Sequence, residues 1–127
     1  MADLRLCVQA GPIFSDSDIT YRDARIPHAF WKLIAWRGRD DAPRIAAFVL
    51  TQADLLSDLE TLSFVPFRLY QVTLDDLAER TGLDFGALPD GDLMRHPERA
   101  GRPPVAELLA TPQGPVLEIR RAADLLI

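Results

Sequence analysis

The sequence has 127 residues, and 14 Lys and Arg stand against 19 Asp and Glu, so its formal net charge is −5. This length suits one domain or part of a larger one, and the 48% hydrophobic content is typical of globular chains. The acidic balance argues against a protein that holds nucleic acid by bulk charge alone, although a local basic patch remains compatible with it. No apolar run approaches the roughly 20 residues that a membrane-spanning helix needs.

The N-terminal residues and the overall composition also suggest where the protein is located and what kind of organism encodes it. The first residues show no basic segment followed by an apolar one, so no export signal is visible and the cytoplasm is the default expectation. Secretion stays open if a signal lies upstream of Met1. All the basic residues except Lys32 are arginines, and with abundant Ala, Asp, Leu and Pro this bias suggests a GC-rich bacterial gene.

The chain opens with the pattern of a strand. Apolar residues alternate with other residues over positions 4–10, which predicts a strand with one buried face. Cys7, the only cysteine, lies within this run, so no internal disulfide can form. We expect its side chain to be a small core group rather than a catalytic thiolate. Gly11 and Pro12 punctuate the run, and residues 15–23 predict a polar loop.

Two further strands are predicted to form a hairpin. Aromatic and β-branched residues are dense over positions 29–37, which favours a strand. Residues 38–43 predict a turn, and the continuous apolar run over 45–50 predicts a central strand covered on both faces. The two faces of the first of these strands carry different side chains, Phe30, Lys32, Ile34 and Trp36 on one and Trp31, Leu33 and Ala35 on the other.

Two helices are predicted in the middle of the chain. Residues 52–62 favour a short helix because their leucines recur at helical spacing, and residues 68–72 predict a short extended piece after it. Thr73 is the expected N-cap of a second helix, with Asp76 in a variant of the capping box and Gly82 as the C-terminal stop.

The C-terminal third is expected to hold shorter elements. Residues 89–104 are rich in Pro, Gly and charge and predict a surface loop. Residues 104–110 could form two helical turns. Residues 116–119 could form a last strand, and residues 122–127 could form a final short element. The predicted class is α+β with a mainly antiparallel sheet and a few short helices, over a single or partial domain spanning residues 1–127.

Few residues indicate chemistry by themselves. Asp16, Asp18 and Asp23 lack the glycine and glutamate of a calcium loop, so local turns are the preferred interpretation. His28 and His96 are expected at the surface or at a strand edge. The functional interpretation of His28, as a general base or metal ligand, needs a partner such as Asp23.

One stretch has the composition of a nucleic-acid contact. Arg22, Arg25 and Lys32 lie close in sequence to Tyr21 and two further aromatic residues, and basic residues interleaved with aromatics can bind single strands. Arg22 and Arg25 are therefore candidate nucleic-acid contacts, although the aromatic residues fit a core strand better. The sequence contains no phosphate-binding glycine loop, serine nucleophile elbow or zinc-protease signature.

Three segments, taken in order, resemble a known family. They are Gly-Pro-Ile-Phe at 11–14 with Tyr-Arg at 21–22, then Ile-Pro at 26–27 with Phe-Trp-Lys at 30–32, and finally Pro-Phe at 66–67, Tyr-Gln-Val at 70–72 and Thr-Gly-Leu-Asp-Phe at 81–85. Together they resemble the C-terminal half of the DNA/RNA non-specific endonucleases, the sugar-nonspecific nucleases that include mitochondrial endonuclease G. The resemblance covers residues 4–88, and residues 119–127 are more weakly similar to the family's ending.

This resemblance implies a magnesium-dependent hydrolase of DNA or RNA with a ββα-metal site. In the family a histidine acts as general base, an asparagine helps to hold Mg²⁺, and an arginine steadies the phosphate. These residues belong to an Asp-Arg-Gly-His run and a following helix, which precede the Gly-Pro-Ile-Phe segment. The run occurs nowhere in these 127 residues, so we expect no catalytic residue, no metal ligand and no Mg²⁺ bound by this chain itself.

The expected function is that of the C-terminal structural half of a metal-dependent endonuclease, truncated or split, and inactive alone. The expected partners are DNA or RNA in the complete enzyme, an N-terminal metal-bearing half or a second copy of this chain, and no membrane. Uncovered sheet edges and apolar faces invite such pairing. The alternative is a non-catalytic module for protein interaction or nucleic-acid binding that kept the nuclease fold.

Overall fold

The computed structural model describes residues 5–14, 19–38, 40–51, 67–86, 88–101 and 108–127. Helix α1 is Leu74–Thr81, and the short 3₁₀ helices are Leu88–Gly91, Pro97–Arg99 and Ala122–Asp124. The strands of these residues are β1 (Cys7–Ile13), β2 (Ile19–Tyr21), β3 (Ala24–Ile26), β4 (Ala29–Arg37), β5 (Pro43–Thr51), β6 (Arg68–Val72), β7 (Leu109–Thr111) and β8 (Gly114–Ile119). Within these ranges no helix has the length and apolar character needed to cross a bilayer.

Six strands form one antiparallel sheet in the order β1-β4-β5-β6-β8-β7, and β2 and β3 form a separate hairpin. This arrangement confirms the predicted α+β class. β4 has the predicted bounds and pairs along its whole length with β5, from Ala29 opposite Thr51 to Arg37 opposite Pro43. β5 also pairs with β6, so the apolar run over 45–50 is a central strand, as its composition predicts.

Helix α1 packs on one face of the sheet, called the helix face here. The Oγ1 atom of Thr73 accepts a hydrogen bond from the amide of Asp76 at 3.0 Å, and Gly82, with a φ of 71°, ends the helix. Both predicted helix boundaries are therefore confirmed. The core that α1 shares with this face consists of Leu33, Ile45, Ala47, Val49, Tyr70, Val72, Leu74, Leu77 and Val116.

The opposite face, called the C-terminal face here, is covered by residues 92–101 and by the end of the chain. The side-chain amide of Gln71 donates to the carbonyl of Leu126 and accepts from its amide, both at 2.9 Å. The buried side chains of this second core are Leu93, Met94, Leu117 and Leu126. Residues 89–104 are thus only partly a surface loop, because Leu93 donates its amide to the carbonyl of Ile45 and is buried.

The prediction for the first strand is wrong about burial. Within the described part of the chain β1 pairs with β4 alone and forms an edge of the sheet. Leu6 and Val8 are 54% and 52% exposed, and Cys7 is exposed rather than a core group. Alternation along a strand separates two faces, but burial also needs a covering layer, which depends on the rest of the fold.

Three further predictions are corrected or fall outside the described residues. The predicted polar loop over 15–23 includes β2 and turns into β3 through Arg22 and Asp23, whose φ angles are 51° and 68°. Strands of three residues are too short to show an apolar period. The helix predicted over 104–110 is wrong at its end, where Leu109 pairs with Val116 in the sheet. The helix predicted over 52–62 lies outside the described residues.

Candidate functional site

The candidate nucleic-acid contacts lie together on the hairpin that follows β1. Arg22 occupies the turn and Arg25 belongs to β3, and both side chains are exposed. The guanidinium carbon of Arg25 lies 5.6 Å from the centre of the Phe14 ring, which is the geometry of a cation–π contact. Lys32 is exposed on β4, on the face opposite to α1. The structure therefore places Arg22 and Arg25 on one hairpin, whereas Lys32 belongs to a strand of the six-stranded sheet.

The aromatic residues of the same stretch serve packing. Trp31 lies on the helix face and meets Phe85 edge to face, with ring centres 6.2 Å apart. It also packs against Gly11, where an added Cβ atom would lie 2.8 Å from the indole nitrogen. Gly11, Trp31 and Phe85 come from the three separate segments that resemble the endonuclease family. These segments thus converge on one packed cluster rather than on a reactive group.

The two histidines lie in separate parts of the chain, and both lie outside the strands of the sheet. His28 is half-buried and directly precedes β4. The Nδ1 atom of His96 lies 3.4 Å from the carboxylate of Glu98, an exposed neighbour in the C-terminal part. Asp23 lies in the exposed hairpin turn, while Asp16 and Asp18 fall outside the described residues.

Sequence reasoning missed Asp92, a fully buried carboxylate. Asp92 is 1% exposed, and its two oxygens accept hydrogen bonds from the amide of Leu74 at 2.7 Å and of Met94 at 3.0 Å. Burial raises the pKa of Asp92, and the two amides oppose that effect only in part. The side chain joins the first turn of α1 to the segment that covers the C-terminal face. Leu74 lies 18 residues away in the sequence, so no local pattern indicates this contact.

Two other buried carboxylates are also committed to structural contacts. Asp76 holds the Nε atom of Arg80 at 2.5 Å through one oxygen, and the other is buried without a hydrogen-bond partner in the described part of the chain. Burial raises the pKa of Asp76, and Arg80 opposes this. Asp124 accepts from the amides of Arg120 and Arg121, and these bonds hold its pKa below the ordinary value.

These carboxylates do not fit a Mg²⁺ site. Asp92 and Asp124 already accept hydrogen bonds from backbone amides. Asp76 forms an ion pair with Arg80 on its own helix. Divalent magnesium requires several oxygen ligands that converge on one point. Within the described ranges, no group of three or more His, Cys, Asp or Glu side chains is placed to hold a metal ion.

Comparison with known proteins places these features in a family context. The sequence profile of the DNA/RNA non-specific endonucleases matches residues 1–91, which include Gly11, Trp31 and Phe85. The chain is 30% identical over 90 residues to y4fB, an uncharacterised protein of Sinorhizobium fredii (strain NBRC 101917 / NGR234). The similar region is 65% of this chain but only 14% of that relative. No solved structure shows significant similarity.

Proposed function

This chain belongs to the DNA/RNA non-specific endonuclease family, whose profile matches residues 1–91, and we propose that it forms the C-terminal structural half of such a nuclease. The packing of Gly11, Trp31 and Phe85 carries this proposal. The residues that identify the family hold the sheet together and leave no reactive group in the cluster. The chain's part in the enzyme is therefore to support the fold on which phosphodiester hydrolysis takes place.

Cleavage requires Mg²⁺ and the segment that carries the Asp-Arg-Gly-His run and the asparagine. The run is absent from these 127 residues, and the buried carboxylates described above are bound to amides or to Arg80. The residues that carry out the reaction belong to that segment rather than to this chain. The 127 residues alone are accordingly inactive on DNA and RNA.

The edge of β1 is the surface through which the metal-bearing segment joins the sheet. Leu6 and Val8 are exposed there, and β1 has β4 as its sole neighbour among the described strands. An open strand edge offers unpaired amide and carbonyl groups to a further strand. When the metal-bearing segment is absent, a second copy of the chain pairs at the same edge.

A non-catalytic module for protein interaction or nucleic-acid binding is the second candidate. The open edge of β1 favours a protein partner, and the exposed Arg22 and Arg25 favour nucleic acid. Such a module binds its partner without gaining cleavage when the metal-bearing segment is added.

A cleavage assay with purified components tests the proposal. The chain is incubated with supercoiled plasmid and with RNA, in Mg²⁺ and in excess EDTA, beside a mock purification from the same host. A polypeptide carrying the family's Asp-Arg-Gly-His run and following helix is then added in trans. Its control replaces the histidine of that run by alanine.

The expected result is no cleavage by the chain alone and Mg²⁺-dependent cleavage after the addition, which the alanine control lacks. Metal-dependent cleavage by the chain alone, above the mock, overturns the proposal that its catalytic segment lies elsewhere. If the added segment binds the chain without producing cleavage, the non-catalytic module is the better description.

A further inference from the structure

One patch of the C-terminal face is exposed on the two strands at the β1 edge of the sheet. It consists of Val8, Ala10 and Pro12 on β1 and of Phe30 and Lys32 on β4, and all five residues are exposed. The register places Pro12 beside Phe30 and Ala10 beside Lys32, so the five side chains belong to one face. This surface, called the β1–β4 patch here, is apolar except at Lys32.

The layer that covers the C-terminal face ends before it reaches this patch. At the far end of β4, Trp36 packs against the second core. On β5, Ala46 and Phe48 are buried, whereas Leu50, which pairs with Phe30, is 38% exposed. Among the described residues the sheet therefore has a covering layer at Trp36 and Ala46 but not at Phe30, which is 40% exposed.

The patch contains residues of the segments that resemble the endonuclease family. Pro12 belongs to the Gly-Pro-Ile-Phe segment, and Phe30 and Lys32 belong to the Phe-Trp-Lys segment. Gly11 and Trp31 of the same two segments pack together on the helix face. The alternation of each strand thus commits one side of these segments to the core beneath α1 and leaves the other side available to another polypeptide.

The charge of Lys32 restricts what can cover the patch. Ala10 and Phe48 lie beside it on the neighbouring strands, and Phe30 and Ile34 flank it along β4. Within the described residues Lys32 forms no ion pair. Water solvates the ammonium group in the chain alone, but a covering layer removes that water, and an unpaired buried charge is costly. The layer must therefore bring a carboxylate.

The same face of a second copy does not supply this carboxylate. The side chains that β1, β4 and β5 direct to the C-terminal face include no Asp or Glu. A two-fold pairing of two patches would also bring one Lys32 toward the other, and like charges repel. Pairing of two copies along the edge of β1 is a separate contact, because an edge joins strands side by side whereas the patch takes a layer on top.

We propose that an amphipathic helix of the metal-bearing segment packs on the β1–β4 patch, with an Asp or Glu of its apolar stripe paired to Lys32. This inference rests on the proposed function, in which that segment joins the sheet at the neighbouring edge of β1. Two strands are about 10 Å wide, which is also the diameter of one helix, so the patch takes a single helix along β1 and β4. The segment then contacts the sheet through both the edge and the face of β1.

Lys32 is the only lysine of the chain, so its amine reports directly on the patch. The chain is mixed in EDTA with the polypeptide that carries the Asp-Arg-Gly-His run and the following helix, and acetylation of Lys32 by an N-hydroxysuccinimide ester is followed by mass spectrometry. We expect a saturating amount of the polypeptide to slow this acetylation at least about fivefold. The control is Lys32→Arg with Arg120→Lys, which moves the lysine beyond the end of β8, to a position where the arginine side chain is 77% exposed. Its acetylation rate should not change.

Two further measurements test the charge pair. A water-soluble carbodiimide joins an amine to a carboxylate in direct contact, and we expect it to link Lys32 to an Asp or Glu of the added polypeptide. Lys32→Glu should weaken binding of the polypeptide at least about tenfold in isothermal titration calorimetry, whereas Lys32→Arg keeps the charge and should bind within about twofold of wild type. Because residue 32 is exposed, both variants should keep the circular dichroism spectrum of the wild type.

Three results would overturn the inference. The first is a polypeptide that binds while Lys32 keeps its free rate of acetylation, since the contact is then confined to the edge of β1. The second is protection of Lys32 without coupling to a carboxylate, or a Lys32→Glu chain that binds as tightly as wild type. The third is protection that appears in the chain alone as its concentration rises, because a second copy then covers the patch. The proposed function fails separately, through missing cleavage in trans, whereas cleavage in trans with a fully reactive Lys32 contradicts this inference alone.

Discussion

Gly11 is a position in the sheet where an added methyl group would meet a neighbouring side chain. A Cβ atom there would lie 2.8 Å from the Nε1 atom of Trp31 and 3.1 Å from a ring carbon. The indole ring also contacts Phe85 edge to face, so a shift of the ring away from residue 11 would disturb that contact. We expect Gly11→Ala to lower the free energy of unfolding by about 1–3 kcal/mol, measured by urea denaturation with tryptophan fluorescence.

The control for this prediction is Gly101→Ala. Among the described residues, the nearest atom to an added Cβ at Gly101 is the carbonyl oxygen of Ile127 at 3.5 Å, which is ordinary contact. Its effect should stay within about 0.5 kcal/mol. Equal effects of the two substitutions would contradict the packing role of the cluster of Gly11, Trp31 and Phe85.

Asp92 links α1 to the cover of the opposite face, and its substitution tests that link. Asn at this position can accept one of the two amides but turns a donor toward the other, so Asp92→Asn should cost about 1–3 kcal/mol. The free energy of unfolding is measured by urea denaturation with circular dichroism.

The cost of Asp92→Asn should also depend on pH. Burial raises the pKa of Asp92 in the folded chain above its unfolded value, so the folded state favours the protonated acid. The stability contributed by this proton uptake is complete below the unfolded pKa and is lost as pH rises through the folded pKa. The difference between wild type and variant should therefore shrink from pH 4 to pH 7.5, and a difference that grows instead would refute the assignment.

At the scale of single elements, α1 depends on its first residue. The hydroxyl of Thr73 accepts from the amide of Asp76, while the carboxylate of Asp76 binds Arg80 instead of completing a capping box. Thr73→Ala should therefore lower the free energy of unfolding by about 1 kcal/mol. Thr73→Ser keeps the hydroxyl and should lose less, as judged by urea denaturation; equal losses would show that the cap bond contributes nothing.

Elements with strong local patterns were predictable from sequence. β4 has the predicted bounds, and α1 begins and ends at Thr73 and Gly82, because dense aromatic content and capping residues act within a few positions. The burial of β1 and the strand at Leu109 were not predictable, since an edge position and a short pairing depend on distant residues.

The candidate site likewise contains residues that were predictable from local sequence and residues that were not. Arg22 and Arg25 were identifiable as an exposed basic pair beside aromatic residues, and their contact with nucleic acid stays a prediction. Asp92 was not identifiable, because its contact with Leu74 joins residues that are 18 positions apart in the sequence. Contacts between residues that are far apart in the sequence cannot be predicted from the spacing within one segment.

At the scale of the whole molecule, buried side chains are unevenly distributed among the strands of the sheet. The strands β5, β6 and β8 carry most of the buried side chains of the core beneath α1, and β8 also contributes Leu117 to the second core. At β1, by contrast, Leu6, Cys7 and Val8 are all exposed. Among the described residues, the middle of the sheet is thus well buried, while β1 is an exposed edge that a partner can use.

This asymmetry predicts that the chain self-associates through β1 when the metal-bearing segment is absent. Val8→Lys places a charge on the exposed apolar side of that edge and should weaken self-association at least tenfold, as measured by sedimentation velocity over a concentration series. Leu83→Lys is the control, because Leu83 is 45% exposed and lies beyond the C-terminal end of α1. A wild-type chain that stays monomeric at every concentration, or a control that weakens association equally, would exclude the β1 edge as the pairing surface.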